Sequence, residues 1–270
     1  MSKSKIEWTD EVGNVFVVSN GMAGKHGWHC EKISPGCANC YAERINIAQR
    51  FGYGTGQTYN KKNEPINLIF RRELCEKWLK VKKKKVVFVN SMTDTFLDCY
   101  EDKLIQALFY YMEKAKNLFF IVLTKRPERA IQLEEKERIV WPGNAMFMVT
   151  TEDQEQADKR IPVLLQSKAK WKGLSIEPLL GMIDIEPVWL GNYQSCGGWL
   201  PAQIHWIIVG AESNGRKVGR ECKTEWIKRI INDCKQSNVP LFVKQILIEG
   251  KLSKNIEKFP EHLKIREFPL

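Results

Sequence analysis

Three cysteines fall within eleven residues, Cys30, Cys37 and Cys40, with the spacing C-x6-C-x2-C. Thiolates are soft ligands, and a cluster of them in a reducing compartment points to zinc or an iron–sulfur cluster. Structural zinc wants a fourth ligand, which would have to be His26, His29 or a distant cysteine, because no second C-x2-C pair exists. A cubane held by three cysteines instead leaves one iron open to a substrate or cofactor. Both metals stay open on the spacing. Pro35-Gly36 is a turn signal inside the loop, and Gly36 permits a positive φ that would let the chain curl round a ligand. A helical run over 42–51 then leads away from this Cys-rich loop, residues 28–43.

A second set of polar residues is tied to a repeat. After residue 80, short apolar runs recur and end near residues 89, 123, 149, 176, 209 and 243. Runs this short and continuously apolar read as strands buried on both faces, hence a parallel sheet. Amphipathic patterns over 101–117 and 224–237 lie between them and predict helices. The alternation predicts an α/β fold, a TIM-like β/α barrel or part of one, in a single domain over residues 1–270 with a turn-rich insertion at 186–203. Each run ends in polar residues. Ser91, Thr93 and Asp94 follow the first, Lys125 and Arg126 the second, Glu177 the fourth, Glu212 the fifth and Lys244 the last. Carboxyl ends of parallel strands face ligands, so these groups are expected at a shared mouth. Asp94 and Asp153 also suit ordinary helix caps.

Composition narrows the classes. The chain has 270 residues, 43% hydrophobic and 27% charged, which excludes a wholly disordered polymer. No apolar stretch reaches transmembrane length, so no membrane partner is expected. Residues 1–11 lack the apolar core of a secretory signal, which makes the cytoplasm the expected compartment and disulfides an unlikely use of eight cysteines. Cys75, Cys99 and Cys234 sit in apolar or helical sequence and read as buried small hydrophobes; Cys196 and Cys222 lie in loop-like sequence without an assigned role. A net charge of +10 points to a nucleic-acid partner or to basic loops. The run Lys80 to Lys85 reads first as a solvated turn and second as a phosphate contact. Trp28 and Trp199, in Gly-rich loops, are candidates for stacking on bases, whereas Trp8, Trp78, Trp171, Trp206 and Trp226 read as packing.

The residues also carry a resemblance. Ile6-Glu7-Trp8-Thr9-Asp10 and the segment 34–43 resemble the N-terminal signature of a phage and bacterial family of unassigned function. That family has a three-Cys motif and is similar to radical S-adenosylmethionine (radical SAM) enzymes. Blocks at 89–96, 123–129, 160–162 with 174–181, 206–213 and 242–245 continue the likeness over roughly residues 6–245. The stretch before the first cysteine, residues 11–29, is longer than in the family, and the first interval is longer than the usual C-x3-C. The resemblance implies that Cys30, Cys37 and Cys40 bind a [4Fe–4S] cluster whose open iron chelates S-adenosyl-L-methionine. It also implies that Ser91, Thr93 and Asp94 contact the methionine amino group, and that Glu177 and Glu212 bind ribose hydroxyls. Lys125, Arg126 and Lys244 would meet a carboxylate or phosphate. The substrate itself is not legible in the sequence; the basic charge makes nucleic acid or a nucleotide one expectation, and a protein encoded nearby is an expected partner. The competing expectation is a non-catalytic, zinc-stabilised nucleic-acid-binding protein.

Overall fold

A computed structural model describes all residues except 1, 5, 66, 192, 193, 196, 197, 200–202, 214, 216–218 and 270. The fold is mixed α/β, and its contacts divide the chain into two compact units. The first holds residues 1–147 with 168–170; the second holds 148–167 with 171–270.

In the first unit, β1 (Ser2–Lys3) pairs antiparallel with β2 (Glu11–Gly13). A small antiparallel sheet follows, in which β3 (Phe16–Ser19) pairs with both β4 (His26–Gly27) and β5 (Leu68–Phe70). This sheet fills the long interval before Cys30. The apolar run Val15 to Val18 is its sequence signal, since all four residues are buried. The helix α1 (Tyr41–Ala48) leaves the cysteine loop, and α2 (Arg72–Trp78) precedes β6 (Lys85–Val89). Then come α3 (Asp102–Lys114), β7 (Leu118–Thr124) and α4 (Pro127–Glu135). β2, β6 and β7 run parallel, in that order. Val87 to Val89 and Phe120 to Val122 are buried, which is why these runs carry no polar alternation. Trp78, 1% exposed, lies where a side chain on Gly13 would go: a Cβ there would sit 2.7 Å from its ring.

β8 (Ala145–Thr150) crosses the division between the units, and every residue of it is buried. In the second unit α5 (Gln154–Gln166) is capped by Asp153, whose side chain accepts the Gln156 amide, as expected for that aspartate. Pro162 lies inside α5 with its ring toward solvent, where it removes one internal hydrogen bond. β9 (Trp171–Ile176) leads into the insertion, which holds α6 (Pro187–Leu190) and a hairpin of β10 (Gln194–Ser195) and β11 (Gly198–Trp199). β12 (Trp206–Gly210), α7 (Thr224–Ser237), β13 (Leu241–Ile248) and β14 (Lys251–Ser253) complete the unit. β12 lies parallel between β9 and β13, while β14 is antiparallel to β13.

All six expected strands are present, and the parallel pairs within each unit match the expectation. Three local readings need correction. α1 ends at Ala48 rather than Phe51, because Gln49 and Phe51 take left-handed φ of 46° and 57°. Gly36 has no positive φ; it lies inside a single 3-10 turn, Pro35–Cys37. Trp28 is buried and therefore offers no face to a base. Cys75, Cys222 and Cys234 are buried, Cys99 is half-buried, and Cys196 and the side chain of Trp199 lie outside the described residues. Among the described residues no helix is long and apolar enough to cross a membrane.

The stripe on α3 supplies a stability test. Ile105, Leu108 and Met112 have no exposed surface, whereas Leu104 is half-buried. Leu108→Ala should cost roughly 2–5 kcal/mol in urea unfolding, and Leu104→Ala clearly less. Equal losses would show that the buried stripe is misassigned.

Candidate functional site

The cysteine loop is closed by its own charges. Lys32 reaches Glu43 across it at 2.7 Å, and the other Glu43 oxygen accepts the Tyr59 amide. Asn46 on α1 has no exposed surface, and both ends of its amide are engaged. Its oxygen accepts the amides of Trp28 and Thr55, and its nitrogen donates to Thr55 Oγ1 and the Gln57 carbonyl. Gly54 completes the wrap with a φ of +111°; a Cβ there would lie 2.2 Å from the Asn46 carbonyl oxygen. Beneath the loop Val17, Trp28, Ala42, Tyr59 and Met92 form an apolar floor on which Cys30 and Cys40 both pack.

Two strand ends hold this loop. After β6, Asn90 takes a left-handed φ of 53° and its side chain accepts the amides of Val15 and Phe16. The chain then presents carbonyls and hydroxyls to the loop. Tyr41 donates to the Ser91 carbonyl, and Tyr59 to that of Met92. Thr93 Oγ1 donates to the His29 carbonyl, which leaves Tyr100 to donate to Thr93 at 2.6 Å. After β7, Lys125 donates to Ser34 Oγ at 3.0 Å, and Ser34 Oγ lies 3.7 Å from Cys37 Sγ. Arg126 donates to the Glu31 carbonyl at 3.2 Å and lies 3.3 Å from Asp94 Oδ2.

Asp94 joins the two ends. Its Oδ1 accepts from the Phe96 amide and Thr124 Oγ1, and its Oδ2 from the Lys125 amide and Arg126. It is therefore not a helix cap; its carboxylate is fully occupied in ordering the strand ends.

The first unit thus gathers Cys30, Cys37, Cys40, Ser91, Thr93, Asp94, Lys125 and Arg126. The three thiols are free and half-buried, and they influence one another electrostatically, Cys30 with Cys40 and Cys40 with Cys37. Their acidities differ. Burial pushes the Cys30 thiol up to about 12, with Asp94 adding to the effect and Arg126 opposing it. Burial also raises Cys40, although the amides of Glu43 and Ala42 favour its thiolate. At Cys37 burial is outweighed by Lys125 and by hydrogen bonds from Ile33 and Ser34, and the thiol falls below its ordinary value. Among the described residues, no three His, Cys, Asp or Glu side chains stand in a ready arrangement around one metal ion. The loop brings the thiols together without preforming a ligand shell. His29 is buried with its Nε2 3.9 Å from Glu31, and the His26 ring lies edge-on to Trp28 and Tyr53.

The remaining expected site residues belong to the second unit. Glu177 Oε1 lies 2.8 Å from Lys244 Nζ. Gly210 leaves room for that carboxylate, since a Cβ there would stand 3.0 Å from Glu177 Oε1. Glu212 is buried and gripped by the Arg220 guanidinium and amide. Glu152, with no exposed surface, pairs with Arg160 at 2.8 Å. Thr151 Oγ1 and Gln245 Oε1 are buried without a hydrogen-bond partner among the described residues.

Sequence reasoning missed Asn46, Glu43, Tyr59, Tyr100 and Ser34, the residues that hold the loop. A polar residue inside a helical run, such as Asn46 in α1, is the one signal that marks them.

Two tests follow. Iodoacetamide should modify Cys37 at lower pH than Cys30 or Cys40, because of the three only its thiol falls below the ordinary value. Lys125→Met should move the Cys37 midpoint upward; an unmoved midpoint would remove Lys125 from the site. In the second unit, Glu152→Ala should cost roughly 3–5 kcal/mol by leaving Arg160 buried and unpaired. A loss below about 1 kcal/mol would show that water reaches Arg160.

No curated protein and no solved structure matches the chain. A family model matches residues 3–260, nearly the whole length, which accords with the expected family of unassigned function. The chain belongs to the family described as Protein of unknown function (DUF5131).

Proposed function

We propose that the loop carrying Cys30, Cys37 and Cys40 holds an iron–sulfur cluster and that the chain is a radical SAM-type enzyme. The supporting observation is the donor set: three free thiols on one short loop, braced by two strand ends of a parallel sheet. Cys30 and Cys40 share an apolar floor, and Cys37 faces Lys125 through Ser34. This donor chemistry suits iron, although the side chains must rearrange to ligate it. When bound together with S-adenosylmethionine, such a cluster supplies one-electron radical chemistry.

The chain's own residues have separable tasks. Cys37 is the thiol most easily deprotonated and so the natural first ligand. Cys30 and Cys40, whose thiols burial holds above the ordinary value, would be the second and third ligands. Lys125 and Arg126 add positive charge beside a cluster whose thiolates are negative. Ser91, whose hydroxyl makes a 3.4 Å contact with Asn14, remains available to a cofactor amino group. Asp94 acts by positioning Arg126 rather than by touching the cofactor. With this reading goes the expectation of one TIM-like barrel domain.

Anaerobic purification or reconstitution with iron and sulfide tests the reading. The expected product is brown, absorbs near ~400 nm and carries about four irons per chain. Cys37→Ala should lose the iron, while Cys75→Ala and Cys234→Ala keep it. Colourless protein with one zinc would replace this reading with the zinc-stabilised one.

A further inference from the structure

The excess positive charge is unevenly placed. The first unit carries 26 basic and 17 acidic side chains, a net +9; the second carries 16 and 15, a net +1. Much of the excess lies in one stretch. Between Lys77 and Lys85 there are six lysines and no acidic residue. Lys77, Lys80, Lys82, Lys83 and Lys84 are exposed, as is Lys116 on the next turn. None of these six has an ion-pair partner among the described residues.

The two turns form one surface. The Lys85 amide donates to the Asn117 carbonyl at 3.1 Å, and Asn117 Nδ2 donates to the Val81 carbonyl at 2.9 Å. These bonds hold the 79–84 turn against the 115–117 turn, so the lysines share a side of the unit although they come from two segments. Of the nearby acids, Glu11 is engaged by Lys85, Glu113 by Lys114 and Asp10 by the Val86 amide, and Glu76 stands exposed just before Lys77. Six like charges on ordered backbone repel one another, and a polyanion relieves that repulsion while releasing its counterions.

The placement is also informative. Both turns precede parallel strands, β6 and β7, whereas the residues that brace the cysteine loop follow those strands. The five residues of β6 separate the two ends by about 16 Å. The lysine surface is thus distinct from the thiol site.

We propose that this surface binds the phosphate backbone of a nucleic acid, which gives the protein a docking face separate from its cysteine site. Leu79 is the only large exposed apolar side chain in these two segments. Attachment to a lipid surface relies on apolar insertion alongside charge, which this face offers poorly. The inference goes beyond the iron–sulfur reading and does not depend on it.

The test uses the full chain, a fluorescein-labelled 20-base-pair duplex of mixed sequence and its single strand, with anisotropy read from 50 to 200 mM salt. The patch variant is K82Q/K83Q/K84Q/K116Q. The control, K61Q/K62Q/K136Q/K251Q, removes the same charge from exposed positions elsewhere. The parent should bind with a steep salt dependence. The patch variant should bind at least tenfold more weakly at 50 mM salt, with a duplex log–log slope shallower by about 3. The control should keep the parental slope. Equal losses in both variants would reduce the effect to net charge and overturn the proposal. So would an absence of oligonucleotide binding at 50 mM salt, or tighter binding to phosphatidylserine-containing vesicles than to either oligonucleotide. Iron content, measured on the same samples, keeps this outcome apart from that of the iron–sulfur reading.

Discussion

The carboxylate of Asp94 is the contact on which the thiol loop depends. It sits 7% exposed at the end of β6 and accepts four hydrogen bonds, three of them from Thr124, Lys125 and Arg126 at the end of β7. A buried carboxylate is tolerable only when its lone pairs are met and a cation stands near, and both conditions hold here. Arg126 in turn reaches the Glu31 carbonyl, one residue after Cys30. Neutralising Asp94 would leave the guanidinium with Glu31 as its remaining carboxylate and remove the link between the two strand ends. The order of the cysteine loop is therefore set by a partnership between two strand ends together with the loop's own Lys32–Glu43 pair.

From that arrangement comes the unequal chemistry of the three thiols. Cys30 lies against Asp94 and the apolar floor, so its proton is held tightly; Cys37 lies toward Lys125, so its proton is held loosely. Three cysteines within eleven residues thus offer one thiol more acidic than usual and two less acidic. Such a gradient would suit stepwise uptake of a metal, whose positive charge would offset the mutual repulsion of neighbouring thiolates. The carboxylates at the strand ends of the second unit are different in kind. Glu212 and Glu152 are locked by Arg220 and Arg160, while Glu177 faces Lys244 beside a glycine that makes room for it.

Much of the scaffold was readable in advance because burial imposes its pattern directly on composition. A strand covered on both faces has no use for polar alternation, so β8, with every residue buried, reads as a plain apolar run. α7 was readable over its observed span, Thr224–Ser237, because Ile227, Ile230, Ile231 and Cys234 recur at helical spacing. α5 escaped because Pro162 interrupts its pattern, and only the tertiary setting shows that the ring faces solvent. α1 stops early for the opposite reason: Gln49 turns left-handed where the chain wraps back toward Asn46, which no local propensity signals.

The sequence by itself determined the strand–helix alternation, the cysteine spacing, the polar residues at the strand ends and the lysine-rich turn. Each is a property of residues close together in the chain, where periodicity and spacing carry the information. The tertiary structure alone decided what those residues do to one another. It paired Arg126 with Asp94 across 32 positions, engaged Glu212 with Arg220, buried Trp28 in a floor and brought Lys116 beside the 79–84 turn. Pairings of this kind depend on which strands lie side by side and in what register. Register arises from the packing of the whole sheet, and no short stretch of sequence contains it.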